Sequence, residues 1–328
     1  MTATILDGKA LAATMADETA AKAAALVERG LRPHLVAVQL GEPPASKIYT
    51  RRQREACEAV GVAYELKILP PDIEQADLVG VIETLNRHDD VTGIIIELPL
   101  PAHFKIRRIF NAVSPHKDVE GVHSINYGLL FGDSSRVAPC TALAAVELVR
   151  STGIDLAGQE AVIIGHSEIV GKPIGMILLQ SATSAPTVTT CHVATRDLAF
   201  HTRRADILFV ATGVPQNRWE AYEDALRRGQ SPPLPDLAPL VTGEMVKPGA
   251  IVVDVAINRV PVGFDDDGEP LRKADGKIRM RTTGDVDFDA VKDVAGWITP
   301  VPGGVGPVTV QMLLRNTVNC AAWQAERR

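Results

Sequence analysis

The sequence predicts an α/β protein of two domains, and three observations predict it. Apolar runs of strand length alternate with stretches of helix length, the pattern of mostly parallel sheets covered by helices. The alternation runs twice, once over residues 10–98 and again from Cys140 onward. At 328 residues the chain also exceeds the usual size of one domain.

The elements follow in order. Residues 10–29 are Ala-rich, with Leu11, Met15, Leu26 and Val27 on one helical face and Gly30 as the stop. Residues 34–40 read as a buried strand. Ser46 reads as the N-cap of a helix over 46–60 that Gly61 ends. Strand 64–69, helix 73–86 and strand 93–98 complete the first layer. In the second series Thr141 caps a helix over 142–150. Strand 161–164, helix 174–180 and strand 187–191 follow, with further buried strands at 207–210 and 251–255. Stretches 216–241, rich in Pro and charge, and 262–283, rich in Asp, Gly and Lys, are longer than ordinary α/β connections and are expected to be surface excursions. A last helix over about 307–326 follows a Gly/Pro segment.

Composition narrows the function classes. With 46% apolar residues the chain can bury sizeable cores, and its net charge of -6 argues against a nucleic-acid partner, which needs a basic surface. An anionic small molecule stays open, since a few Lys and Arg suffice to line one pocket. Cys57, Cys140, Cys191 and Cys320 are far apart and form no CxxC pair, so they read as buried inert thiols of a reduced protein, with no metal site. Residues 1–9 show no secretory signal, and apolar runs such as 93–100 and 207–214 are too short to span a bilayer. A cytoplasmic protein without a membrane partner is expected.

One turn points to a ligand. Val162-Ile163-Ile164-Gly165-His166-Ser167-Glu168-Ile169-Val170-Gly171-Lys172-Pro173 reads as strand, tight turn and helix start. A pyrophosphate needs glycine where the backbone must approach it, and free amides at a helix N-terminus. Gly165 and Gly171 meet the first need, although Ser167 and Val170 hold the second and third positions of the usual GxGxxG. An ordinary βα turn fits the pattern as well. A further strand ends about 20 residues on, the distance at which the ribose is met. Its end carries His192, Val193, Thr195 and Arg196 and no acid, which favours a 2′-phosphate, hence NADP, with NAD as the alternative. Arg196 also reads as a solvated side chain and His192 as a packed one. Thr212-Gly213 is either a dinucleotide contact or a strand end.

Four further motifs carry a resemblance: Pro44-Ala45-Ser46-Lys47-Ile48-Tyr49, Leu98-Pro99-Leu100-Pro101, Lys117-Asp118-Val119-Glu120-Gly121, and Thr299-Pro300-Val301-Pro302-Gly303-Gly304-Val305-Gly306-Pro307. With the Gly165 turn and Asp254-Val255-Ala256-Ile257-Asn258-Arg259, in this order over nearly the whole chain, they resemble the methylenetetrahydrofolate dehydrogenase/cyclohydrolases. The resemblance implies two α/β domains with a cleft between them. Residues 1–139 plus 299–328 would form the folate-binding domain, with the C-terminal helix returning to it, and 140–298 a Rossmann-like dinucleotide domain. It implies a homodimer that oxidises 5,10-methylenetetrahydrofolate with NADP and, in most members, then hydrolyses the methenyl cation. It assigns the substrate to Tyr49, Leu98, Pro99, Glu120, Pro302, Gly303 and Gly304. The dinucleotide falls to Gly165, His166, Ser167, Ile169, Val170, Gly171, His192, Val193, Arg196, Thr212, Gly213 and Ile257.

The pocket departs from that family. Hydrolysis there relies on a Tyr, a Lys four residues later on the same helix face, and a Gln before Leu-Pro-Leu-Pro; an Asp holds the pterin. This chain keeps Tyr49 but has Gln53, Glu97 and Glu120 at the other three positions. A Lys facing a Gln has become a Gln facing a Glu, which keeps one donor–acceptor contact and turns the local charge negative. A carboxylate favours the methenyl cation, whereas loss of the amine weakens hydrolysis. The catalytic set is therefore Tyr49, Gln53 and Glu97. The expected activity is the dehydrogenase with a weak or lost cyclohydrolase; Glu97 as a substitute base, a changed substrate, and a non-catalytic folate binder are the alternatives. Arg51, Arg52 and Arg54 either attract a folate's glutamate tail or form a solvated helix face.

Overall fold

The computed structural model describes residues 2–42, 44–181 and 183–326, with the backbone alone over 44–48. The chain divides into two compact units, Ala10–Ala144 with Pro307–Arg328, and Met1–Lys9 with Ala145–Gly306.

The first unit is built on a parallel three-stranded sheet in the order Ala63–Leu69, His34–Leu40, Gly93–Ile96. The central strand is all but fully buried, as its unbroken apolar run requires. Val36, Val38, Ile94 and Ile96 pack against Leu78 and Ile82 of helix Gln75–Arg87 and against Ile109 and Phe110. The last helix, Val305–Ala325, seals this unit: Asn316 Nδ2 donates to the carbonyls of Val119 and Ala138, and Gln324 Nε2 to those of Thr92 and His116.

The second unit has a six-stranded parallel sheet in the order Thr4–Ile5, Trp297–Ile298, Ile251–Asp254, Ile207–Val210, Glu160–Ile164, Thr187–Cys191. The connections reverse direction beside Glu160–Ile164, whose sequence successor lies on one side and Ile207–Val210 on the other. Ligands of open α/β sheets bind at the carboxyl ends of strands at such a switch point. Residues 1–9, which the sequence reading leaves with the first domain, group with the second unit, where Thr4–Ile5 pairs in parallel with Trp297–Ile298.

Most expected elements lie within a few residues of their observed bounds, and the differences have local causes. The Tyr49 helix spans Pro44–Ala59, so Ser46 stands inside it rather than at its cap; the Ser46 side chain lies outside the described residues. Thr141 likewise falls inside Cys140–Arg150. Helix Val214–Arg227 fills half of the expected excursion at 216–241, anchored by buried Trp219 stacked on Tyr222. The other excursion is a hairpin, Asn258–Pro261 antiparallel to Met280–Thr283. All four cysteines are free and buried. Among the described residues no helix is long and apolar enough to cross a membrane.

The carboxyl ends of the second sheet are tied by two buried acids. Asp285 Oδ2 accepts from Thr212 N (2.7 Å), Thr212 Oγ1 (2.6 Å) and Gly213 N (2.9 Å), and its Oδ1 accepts from Asn258 Nδ2 (3.0 Å). Asp254 in turn accepts from the amides of Ala256, Asp285 and Val286. Replacing Asp285 by Ala orphans four donors, all buried or part-buried, in two segments at once. Asp285→Ala is expected to cost about 3 kcal/mol or more in urea unfolding.

Candidate functional site

In the first unit the geometry starts on helix Pro44–Ala59, which places Tyr49 and Gln53 one turn apart on the same face. Glu97 is the first residue past strand Gly93–Ile96. Its amide still donates to Val38 O at 2.9 Å, so the ladder fixes where its side chain begins. The segment 117–121 brings up Glu120. Lys117 Nζ donates to the carbonyls of Leu85, Asn86 and His88, while Asp118 Oδ2 accepts from His123 N and Asn126 Nδ2, both at 2.8 Å. Gly121 has φ +68°, and a Cβ there would come within 2.5 Å of Ala138 C. Lys117, Asp118 and Gly121 hold the segment, and Glu120 is the acid it offers.

These side chains meet. Gln53 is fully buried, Glu97 keeps 7% of its surface, and Tyr64 from strand Ala63–Leu69 donates its hydroxyl to Gln53 Oε1 at 3.2 Å. Burial pushes the Glu97 carboxyl up to about 7, and the nearby Gln53 amide pulls it partly back. Neither Gln53 Nε2 nor Glu97 Oε1 completes a hydrogen bond of ordinary geometry among the described residues, so a polar ligand atom has both a donor and an acceptor to meet. Burial, then the charges of Asp118 and Glu97, push half-buried Glu120 up to about 7 as well. Tyr49 shows 39% of its surface, yet crowding around its phenol, and then Glu120 and Glu97, raise it far above the usual tyrosine range. The pocket is thus a neutral phenol, a neutral amide and two acids poised near neutrality.

In the second unit the switch point is closed tightly. Gly165 follows strand Glu160–Ile164 with φ +120°, and a Cβ on it would sit 2.2 Å from Ala211 O. A Cβ on Gly171 would sit 1.9 Å from Gly165 O. The expected row of free helix amides is largely used: Ser167 Oγ accepts from Val170 N and Gly171 N, and Ser167 O from Lys172 N. What the turn presents is the exposed run His166, Ser167, Glu168, Ile169. His166 and His192 meet edge to face at 4.9 Å, and Ala194 N donates to His192 Nδ1, which leaves the ring proton on Nε2. Ile169 in the turn, Val193 past the neighbouring strand and Ile257 past strand Ile251–Asp254 are exposed apolar side chains, at 39%, 60% and 60%. Exposed apolar groups at the carboxyl ends of such strands fit a dinucleotide. Thr212 and Gly213 follow strand Ile207–Val210 and are ordered by Asp285.

The Pro302-Gly303-Gly304 stretch also lies in the second unit. Gly303 has φ +117°, and a Cβ on Gly8 would fall 1.8 Å from Gly304 O. Its glycines therefore have a packing reason of their own, and only Pro302 of the three is exposed.

Residues 6–120 match the catalytic domain of tetrahydrofolate dehydrogenase/cyclohydrolase, and residues 139–219 and 237–325 match its NAD(P)-binding domain. The chain belongs to the tetrahydrofolate dehydrogenase/cyclohydrolase family. It is 43% identical over 321 residues to the bifunctional protein FolD of Bordetella avium (strain 197N), covering 98% of each chain. A bifunctional FolD methylenetetrahydrofolate dehydrogenase/cyclohydrolase from Campylobacter jejuni is similar in structure, with a TM-score of 0.81 at 38% identity over 98% of this chain and 99% of that one. A Trypanosoma brucei methylenetetrahydrofolate dehydrogenase-cyclohydrolase, solved with NADP and an inhibitor, gives 0.82 at 32% identity over 99% of both chains.

As a member of this family the chain is an NAD(P)-dependent tetrahydrofolate dehydrogenase, and its fold is the expected one: two α/β units, the second Rossmann-like, with the C-terminal helix in the first. Tyr49, Gln53, Glu97 and Glu120 come together in one pocket. Leu98 and Pro99 follow Glu97 on the surface, joined by a cis peptide bond. Residues 220–236 fall between the matched stretches. Sequence reasoning missed Tyr64 and Asp285. For Asp285 the available signal was Gly284-Asp285-Val286, an acid between a glycine and a valine. For Tyr64 there was none, because it sits on an edge strand and reaches Gln53 only in three dimensions.

The poised acids make stability pH-dependent. Glu97, Glu120 and Asp254 each rise to about 7 in the fold, so each binds its proton more tightly folded than unfolded. Their contribution is full below the ordinary carboxylate range and is lost as pH rises through about 7. Glu97→Gln removes one share. In urea unfolding it should narrow the loss of stability between about pH 5 and about pH 8 by about 2 kcal/mol.

Proposed function

We propose that this chain oxidises 5,10-methylenetetrahydrofolate to the 5,10-methenyl cation with NADP, and that its cyclohydrolase step is slow. The observation that carries the second half is the buried Gln53 tied to the Tyr64 hydroxyl, an amide at the position where the family resemblance implies a titratable amine. Glu97 and Glu120 would lie against a carbon that becomes cationic as hydride leaves. Their charge stabilises that cation in a pocket shielded from water. Tyr49, held protonated, orients the pterin and supplies no base.

When bound, the dinucleotide supplies the hydride acceptor. Gly165 and Gly171 would let its phosphates approach the backbone, and Ile169, Val193 and Ile257 would cover its apolar surface. His166 and His192, with Arg196 beyond, would face a 2′-phosphate, the feature that favours NADP over NAD. His166→Ala is then expected to raise the KM for NADP about tenfold while changing that for NAD less than about twofold. Equal effects on both coenzymes would remove His166 from the phosphate site. The family resemblance also supports a homodimer, which sedimentation would read as twice the chain mass.

One observation favours a second reading, in which hydrolysis persists with Glu97 as base. A carboxyl at about 7 is near the ideal for proton transfer at neutral pH. The two steps separate the readings. With hydride transfer and methenyl hydrolysis followed independently, the wild type should hydrolyse slowly. Gln53→Lys with Glu97→Gln should raise hydrolysis about tenfold or more. If instead the wild type hydrolyses rapidly and Glu97→Gln alone abolishes it, Glu97 is the base and the amide argument fails.

A further inference from the structure

We infer that Tyr64 is a positioning residue of this pocket: its hydroxyl fixes the Gln53 amide with Nε2 turned toward Glu97. This rests on the reading of Glu97 as the carboxylate beside the reacting carbon.

A buried amide is ambiguous by itself. Oε1 and Nε2 have nearly the same shape, and rotation by half a turn exchanges an acceptor for a donor. Gln53 is fully buried, so no solvent shell settles the choice. Tyr64 settles it. Its hydroxyl lies 3.2 Å from Oε1, and its phenol stays protonated, raised by burial and by the charge of Glu97. The Arg54 guanidinium, 5.7 Å from the Tyr64 ring, holds that ring from its outer side. With Oε1 claimed by a proton donor, the end left for Glu97 is the donor end. The opposite orientation would aim Oε1 at a carboxylate in a poorly hydrated pocket and leave the Tyr64 hydroxyl facing an N–H group.

Gln53 Nε2 and Glu97 Oε1 are both buried and complete no hydrogen bond of ordinary geometry among the described residues, while the Gln53 amide lies near enough to Glu97 to favour its ionised form. The Tyr64 hydroxyl acts on Glu97 through Gln53. The consequence is electrostatic. Nε2 stabilises the ionised form of Glu97, so Tyr64 helps to set how much of Glu97 is charged at neutral pH. The other titratable groups that face Glu97 are Tyr49 from the helix, Tyr64 from the edge strand and Glu120 from the 117–121 segment. Both phenols stay neutral over the working range, which leaves Glu120 as the group to control for.

The test reads Glu97 directly. Protein labelled with ¹³C at the glutamate carboxyls is titrated by NMR, with the Glu97 signal assigned by its loss in Glu97→Gln and Glu120→Gln used as a background. Tyr64→Phe keeps the ring and removes only the hydroxyl. It should raise the Glu97 midpoint by about half to one pH unit, in both the wild-type and the Glu120→Gln backgrounds. Gln53→Met deletes the amide itself; it should raise the midpoint at least as far and leave Tyr64→Phe nothing to add. An unchanged midpoint in Tyr64→Phe, or an additive effect on top of Gln53→Met, would overturn the inference. Should Tyr64→Phe fail to fold, Gln53→Met decides alone, and a midpoint left at its wild-type value would overturn the inference. The underlying reading fails separately: if kcat/KM for hydride transfer has the same pH profile in Glu97→Gln as in wild type, Glu97 is not beside the reacting carbon, whatever Tyr64 does to it.

Discussion

Asp285 accepts three hydrogen bonds through one oxygen, two of them from backbone amides just past the end of a parallel strand. Strands that stop at the same edge of a parallel sheet leave amides pointing out of the ladder, and a buried group must take them or the fold loses about 1–3 kcal/mol for each. This chain answers with carboxylates. Asp254 takes the amides of Ala256, Asp285 and Val286, and in the first unit Asp118 takes that of His123. Turns at the strand ends are hung on these acids. Thr212 and Gly213 owe their position to Asp285, and Glu120 owes its position to the segment that Asp118 pins.

The same solution sets the chemistry of the first pocket. Burial raises Glu120 most, and structurally buried Asp118 and then Glu97 raise it further. An acid placed there carries its proton close to neutrality, and so does Glu97 through its own burial. In the proposed reading Gln53, Glu97 and Glu120 act as a set, exchanging a titratable amine for titratable carboxyls in a backbone frame of the family's shape.

What could be read from the sequence divides by the range of the interaction. Strands such as His34–Leu40 and Ile207–Val210 were legible because their apolar runs are local, and the Gly165 turn because a positive φ needs glycine there. Tyr49, Gln53, Glu97 and Glu120 were legible as a group through motif resemblance, although nothing in their spacing along the chain brings Glu97 to Gln53. Strand Thr4–Ile5 was not legible: two residues carry no periodicity, and its pairing partner lies near the other end of the chain. Helix Val214–Arg227 was hidden by the prolines and charges that follow it. The free amides expected at the Gly171 helix were overruled by Ser167, a side chain that folds back on its own turn.

The helix Val214–Arg227 and the loop after it have a practical use. Its packed part ends near Trp219 and Tyr222, whereas residues 227–231 are exposed in an unbroken run and Gly229 turns the chain with φ +74°. A backbone that is solvated and carries no buried side chain tolerates extra length at small entropic cost. The peptide bond between Gln230 and Ser231, just past the amides of Gly229 and Gln230 that close the helix, is therefore a graft point, where a fluorophore-binding tag or a second small domain can be spliced into the middle of the chain as a reporter.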